Sequence, residues 1–345
     1  MIKATYTKYL LHFKNPSGTS RGILKTKETY FIILEENGKK GIGETGLFRG
    51  LSIDDVPHYE EQLAWACAHI DKGLAFLSAK FFNFPSIQFG LEQAFLSLQS
   101  ATTYDLFSSK FTNGKATIPI NGLVWMGDQS FMKNQIKEKL DAGFSCIKMK
   151  IGAIDFKTEI ALLKSIRKEF SANEIELRVD ANGAFSPNDA LEKLKILSDL
   201  ELHSIEQPIQ QGQYEAMKTL CESTPLPIAL DEELIGVFSL EEKRKLITEI
   251  KPQYIILKPS LIGGFEGSNT WIKLATENNC GWWITSALES NIGLNAIAQF
   301  TYTLKNKLPQ GLGTGGLFTN NIQSPLEVNK GTLQYNTQKD WNFTI

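Results

Sequence analysis

The sequence predicts an α/β protein: a (β/α)8 barrel of the TIM type preceded by a smaller α+β domain. Two observations lead there. From about residue 118, eight short apolar runs alternate with amphipathic segments over roughly 200 residues, the alternation of a parallel barrel. Before about residue 110 the order differs, with strand-like runs first and helical patterns after, an α+β layout. A third observation argues against an open doubly wound sheet. That fold usually carries a Gly-rich phosphate turn after its first strand, and Trp125-Met126-Gly127-Asp128-Gln129 is not one.

In chain order, residues 5–14 and 29–35 read as strands, and 36–40 as the turn into Gly41-Ile42-Gly43-Glu44. The polar stretch 15–22 has too few apolar residues to anchor itself. It reads equally as a mobile lid or as a plain surface hairpin loop. Residues 53–71 and 86–98 have helical apolar spacing, with Pro85 and Ser86 as an entry. Phe89, Ala94 and Phe95 suggest a face packed on another domain. The eight barrel runs are 118–125, 145–151, 176–180, 203–206, 228–231, 254–258, 282–285 and 310–313. Helices are expected over 155–170, 187–200, 240–250 and 265–278. The β-like tail 331–345 follows a complete barrel, so it is expected to return to the first domain.

Composition narrows the function. The 345 residues carry 36 Lys and Arg against 38 Asp and Glu, a formal net charge of -2, so no global field draws in nucleic acid or an anionic membrane. No run is long and apolar enough for a membrane span, and the N-terminus lacks a signal-peptide pattern. The four cysteines are scattered without a CxxC pair, which fits a reducing cytoplasm rather than a disulfide framework or zinc-thiolate site. The four histidines have no metal-ligand spacing. Oligomeric state is not encoded in any pattern of this kind.

The chemistry concentrates at the C-terminal ends of the barrel runs, where such folds place their sites. In Cys146-Ile147-Lys148-Met149-Lys150 the two lysines share one strand face, and two like charges there favour a neutral, basic amine. The next runs end in Asp180 (Leu177-Arg178-Val179-Asp180-Ala181-Asn182), Glu206 and Asp231, and the sixth in Lys258. Their spacing of about one βα unit puts them on adjacent strands of one rim. Three converging carboxylates call for a hard divalent cation, and oxygen-only ligation favours Mg2+, with Mn2+ next. Lysines on both sides of such an ion suit proton removal beside the carboxylate of a small-molecule substrate.

This ordered set of KxK, Asp, Glu, Asp and Lys resembles the enolase superfamily, in particular its muconate-cycloisomerase-like subgroup. The resemblance spans nearly the whole chain. It implies an α+β capping domain over 1–115, completed by the tail 320–345, and a catalytic (β/α)8 barrel over 116–319. Within the subgroup, the segments 282–293 (Trp282 to Gly293, including Ser286-Ala287-Leu288-Glu289-Ser290) and 311–315 look most like the o-succinylbenzoate synthases of menaquinone biosynthesis, which are carbon–oxygen lyases. The resemblance implies that Asp180, Glu206 and Asp231 hold Mg2+. It implies that Lys150 removes the proton alpha to the carboxylate and returns it to the departing hydroxyl in a syn dehydration. It implies likewise that Lys148 keeps Lys150 neutral and orients the carboxylate, and that Lys258 stays protonated and stabilises the enediolate. Asn182 and Glu232 orient the ligands. Candidate substrate contacts are Arg178, Ser260, Ser286, Glu289, Gly311, Gly313 and, from the polar stretch, Thr19 and Arg21; Arg178 reads equally as a barrel-interior ion pair.

The alternatives are an N-acylamino acid racemase or dipeptide epimerase using the same lysines, a muconate cycloisomerase, and a non-catalytic barrel that binds a ligand. Dipeptide epimerases commonly carry an Asp-x-Asp near the eighth strand end, and neither 285–289 nor 311–315 contains one.

Overall fold

The computed structural model describes residues 1–19 and 22–344. The chain opens with β1 (Lys3–Thr19), β2 (Gly22–Glu36) and β3 (Lys39–Glu44), which form an antiparallel sheet in that order. Helices α1 (Tyr59–Ala68), α2 (Gly73–Lys80) and α3 (Pro85–Gln99) follow. The helical pattern expected from residue 53 begins only at Tyr59. The carboxylate of Asp54 instead accepts bonds from the Ser86 amide (3.0 Å) and hydroxyl (2.6 Å) at the start of α3. Glycines let α3 lie flat on β3: a Cβ on Gly43 would sit 2.0 Å from the Gly90 carbonyl oxygen. Ala94 and Phe95 join the core under this sheet, whereas Phe89 belongs to the main core and meets Phe265 edge-on at 5.5 Å.

The βα alternation then runs β4 (Ile118–Pro119), β5 (Gly122–Val124), α4 (Gln129–Asp141), β6 (Cys146–Lys150), α5 (Phe156–Glu169), β7 (Glu176–Asp180), α6 (Pro187–Ser198), β8 (Ser204–Glu206), α7 (Tyr214–Ser223), β9 (Ile228–Leu230), α8 (Leu240–Ile250), β10 (Tyr254–Leu257), α9 (Pro259–Ile262), α10 (Gly264–Glu277), β11 (Gly281–Ile284) and α11 (Asn291–Thr303). Helix starts follow local chemistry: Asp155 caps α5, Pro187 opens α6, and Ser239 with Glu242 forms a capping box on α8. Among the described residues, β5 to β11 make one parallel sheet of seven strands in sequential order, an α/β fold of the TIM type.

The eighth run expected over 310–313 is not a strand of its own. It is reduced to single bridges, Gln310 to Ile120 on one side and Gly311 to Thr285 on the other, which touch the two edges of the sheet. Gly311 fits because a Cβ there would lie 2.3 Å from Thr285 Oγ1. The first run, 118–125, is likewise two strands: β5 joins the parallel sheet, while β4 pairs with the C-terminal hairpin of β12 (Leu326–Asn329) and β13 (Thr332–Tyr335). The tail meets the N-terminal sheet ahead of that hairpin, where Asn320 accepts from the Tyr9 hydroxyl (2.7 Å) and the His12 amide (2.8 Å), and again beyond it, where Phe343 meets Phe31 edge-on at 5.2 Å and Trp341 stacks on Tyr104 at 4.4 Å. Among the described residues no helix is long and apolar enough to cross a membrane.

Candidate active site

Register places the polar rim. Lys150 pairs across with Asp180, and Asp180 with Glu206, so three successive strands present these side chains in one row. Asp231 and Lys258 follow the ends of β9 and β10. Behind the row, Ile147, Met149, Leu177, Val179 and Ile205 are fully buried against the surrounding helices, the alternation that KxK requires.

The rim is a mesh of ion pairs. Lys148 lies 2.9 Å from Asp180 and also bonds Glu206. Lys150 donates to Asp180 (3.0 Å) and to Asn182 Oδ1 (2.6 Å), and Lys258 bonds Asp231. Burial alone would push Lys148 and Lys258 down, but Asp180 and Glu206 outweigh it at Lys148, and Asp231 with Glu206 at Lys258. Both stay firmly charged. Burial would raise Asp180; Lys148 and Lys150 override it and hold the acid well below the usual carboxylate range. Glu206 goes the other way, raised by burial and by the charge on Asp180.

Asn182, in the left-handed region at φ 44°, ties the rim together. Its amide accepts from Lys150, its Nδ2 donates to Glu232 at 3.1 Å, and its backbone N–H bonds Asp180 at 3.0 Å. Gln207, also at positive φ (38°), does the same between β8 and β9. Its Oε1 accepts from the Asp231 amide at 3.2 Å and its Nε2 donates to Glu233 at 3.0 Å. Gln207 escaped the sequence reading, although it follows Glu206 directly; a buried glutamine leaves no periodic signal.

The carboxylates suit a hard cation by donor type. Asp180, Glu206 and Asp231 are at most 2% exposed, and Glu206 Oε1 is buried with no hydrogen-bond partner. As the side chains stand, Lys148 and Lys258 occupy the positions beside them. Among the described residues no three acids form a ready-made ligand cluster.

A cavity opens over the rim, lined by Lys148, Lys150, Asp180, Asn182, Glu232 and Lys258 together with Ser286, Gly311, Gly313 and Thr314. Phe48, Leu51, Trp125, Leu288 and Leu317 give it apolar walls that sequence reasoning did not identify. Phe48 and Leu51 come from the segment after β3. The base of the β1–β2 hairpin leans on the same wall: Phe13 meets Phe318 at 4.7 Å, Lys14 N–H bonds the Leu317 carbonyl, and Leu11 packs with Leu288. The polar stretch expected as a loop is mostly paired strand, with Ser17 opposite Leu24 and Thr19 opposite Gly22. Thr19 ends β1; its side chain, and all of Arg21, lie outside the described residues.

Other candidate contacts sit elsewhere. Arg178 is one layer below Asp180, bonded to Glu176 (2.7 Å) and the Pro309 carbonyl (2.9 Å) and stacked 4.2 Å from the Trp283 ring centroid, and it does not line the cavity. The barrel-interior ion pair is the arrangement present. Ser260 and Glu289 bond each other at 2.6 Å, fully buried behind the cavity wall. Ser286 lines the cavity and shares a 2.6 Å hydrogen bond with Thr314.

Comparison with known proteins sets this rim in a lineage. Residues 132–339 match the family model described as enolase C-terminal domain-like. An o-succinylbenzoate synthase of Desulfotalea psychrophila is 46% identical over 366 aligned residues, covering 96% of this chain and 98% of that protein. The crystal structure of MenC from the same organism superposes with a TM-score of 0.86 at 43% identity, over 96% of this chain and 99% of that one. An L-Ala-D/L-Glu epimerase of Bacillus subtilis is more distant, 27% identical over 48% of this chain and 45% of its own. With 46% identity over 96% of this chain and 98% of that relative, and the family model matching residues 132–339, the chain belongs to the o-succinylbenzoate synthase family of the enolase superfamily.

Proposed function

We propose that this enzyme dehydrates 2-succinyl-6-hydroxy-2,4-cyclohexadiene-1-carboxylate to o-succinylbenzoate, a step of menaquinone biosynthesis, with Mg2+ held by Asp180, Glu206 and Asp231. The observation that carries the reading is the facing pair of lysine sets, Lys148 and Lys150 on one side of the three acids and Lys258 on the other, under an apolar-walled cavity.

Lys150 takes the proton alpha to the substrate carboxylate, and the C–H electron pair moves into the carboxylate as an enediolate. The C–O bond to the ring hydroxyl then breaks on the same face. Lys150 returns its proton to the departing oxygen, so water leaves and the ring becomes aromatic. Bound Mg2+ would supply positive charge to the carboxylate oxygens. Lys148, kept charged by Asp180 and Glu206, orients the substrate carboxylate, and Lys258 presents a fixed positive charge to the enediolate. Asn182 holds Lys150 in place. Residues 1–115 with the tail 320–345 act as a cap on a barrel spanning 116–319, and the β1–β2 hairpin closes over the mouth to exclude water. Four free thiols fit a reducing compartment, and we place the enzyme in the cytoplasm.

The reading is tested by following aromatic product in the ultraviolet with purified protein, the cyclohexadiene substrate and Mg2+. Rapid turnover that EDTA abolishes supports it; no product at any Mg2+ concentration ends it.

A further inference from the structure

A second cavity lies on the flank of the molecule, where α2 and α3 meet α8 and α10. It holds about 750 Å³, and no residue lining it also lines the cavity at the strand ends. Its walls are largely apolar, with Leu74, Phe82, Phe238 and Ile262 among them. The Phe82 and Phe238 rings lie 5.7 Å apart at its rim, and Phe82 remains 48% exposed.

A cation, Lys243, and two acids, Glu92 and Glu266, face this space. Lys243, from the first turns of α8, is only 4% exposed, yet it has no hydrogen bond or ion pair among the described residues. Its ammonium rests 5.4 Å from the Trp271 ring centroid and near Gly267, where a Cβ would stand 3.8 Å from it. Neither acid bonds it directly. Glu92 spends its carboxylate on the Phe265 and Glu266 amides at the start of α10, and the Glu266 side chain is exposed. Glu266, exposed at the same cavity, compensates this largely buried ammonium only in part, and an anion bound directly to it completes the pairing. Burial lowers Lys243 to about 8, against the pull of Glu266.

We propose that this cavity binds a small amphiphilic monocarboxylate, its apolar body against Phe82, Phe238 and Ile262 and its carboxylate paired with Lys243. Such a ligand removes apolar surface from water and completes the pairing of the ammonium in a single event.

The probe is octanoate, and the readout is the resonance of Lys243 in protein whose lysines carry 13C-methyl labels. Octanoate is expected to shift that resonance saturably and to move its titration midpoint up by about one pH unit or more. Lys243→Met is expected to weaken octanoate binding at this cavity by about tenfold or more, with turnover at the strand ends unchanged. A Lys243 resonance that stays fixed at saturating octanoate overturns the proposal, and so does a variant that binds as tightly as the parent. Should Lys243→Met fail to fold, the titration of the parent protein decides alone.

Discussion

Lys148→Met probes the charge balance of the rim. The substitution keeps a long unbranched side chain and removes only the ammonium between Asp180 (2.9 Å) and Glu206. Asp180 is fully buried and Glu206 is 2% exposed, so water does not replace the lost charge. Removing one partner of a buried ion pair costs about 3–5 kcal/mol. Here one ammonium serves two carboxylates, which argues for the upper part of that range. Lys150 at 3.0 Å from Asp180 and proton uptake by Glu206 pull the figure back. In urea unfolding with EDTA, the variant is therefore expected to lose about 3–5 kcal/mol. Mg2+ should then restore more stability to the variant than to the parent. The freed carboxylates gain a ligand that the unfolded chain lacks, and binding at about 100 times Kd contributes about 2.7 kcal/mol. A loss below about 1 kcal/mol in EDTA would refute Lys148 as the principal counter-charge. Equal gains from Mg2+ in both proteins would refute the three acids as its site.

Lys150→Ala should lower kcat by about 10²–10⁴-fold or more while substrate binding, measured by calorimetry, persists; an active variant would assign the proton transfer elsewhere. Glu44→Ala removes the acceptor for Thr29 Oγ1, the Ser290 amide and hydroxyl, and the Gly293 amide, a fully buried link between β3 and α11. Chemical denaturation should show a loss of about 2–4 kcal/mol, and a loss under 1 would mean that these donors find other partners. Glu92 is raised from 4.5 to about 7 by burial, so the folded state binds its proton more tightly than the unfolded chain does. Its contribution is greatest below pH 4.5 and is lost as pH rises to about 7, by up to about 3 kcal/mol. Glu92→Gln should flatten that part of the pH–stability curve, and an unchanged slope would contradict the shift.

Much of this was legible in the sequence, for physical reasons that differ by element. The rows Lys150, Asp180 and Glu206 could be read because strands of one parallel sheet repeat at regular spacing and end on one rim. Helices α8 and α10 fell within a residue of expectation because their apolar faces and starts agree. The eighth run misled because two bridges suffice to join the sheet edges there; backbone pairing of that brevity has no sequence pattern. Strand β1 ran past its expected end to Thr19, since after a register shift between His12 and Ser17 pairing with β2 resumes at Ser17 opposite Leu24 despite poor local propensity. Arg178 illustrates the limit at the site. Alternation put it on the face of Asp180, but only depth in the barrel shows that Glu176 and the Pro309 carbonyl hold it. Gln207 and the apolar wall of Phe48 and Leu51 depend on segments brought together from far apart, which periodicity does not encode.

The most direct measurement compares two reactions of the same lysines in one preparation: aromatisation of the cyclohexadiene carboxylate and racemisation of N-succinyl amino acids, each as kcat/KM with Mg2+. The account predicts that aromatisation is the faster by a wide margin and that Lys150→Ala abolishes both. Racemisation outpacing aromatisation would contradict the assigned reaction while leaving the lysines and carboxylates in their places.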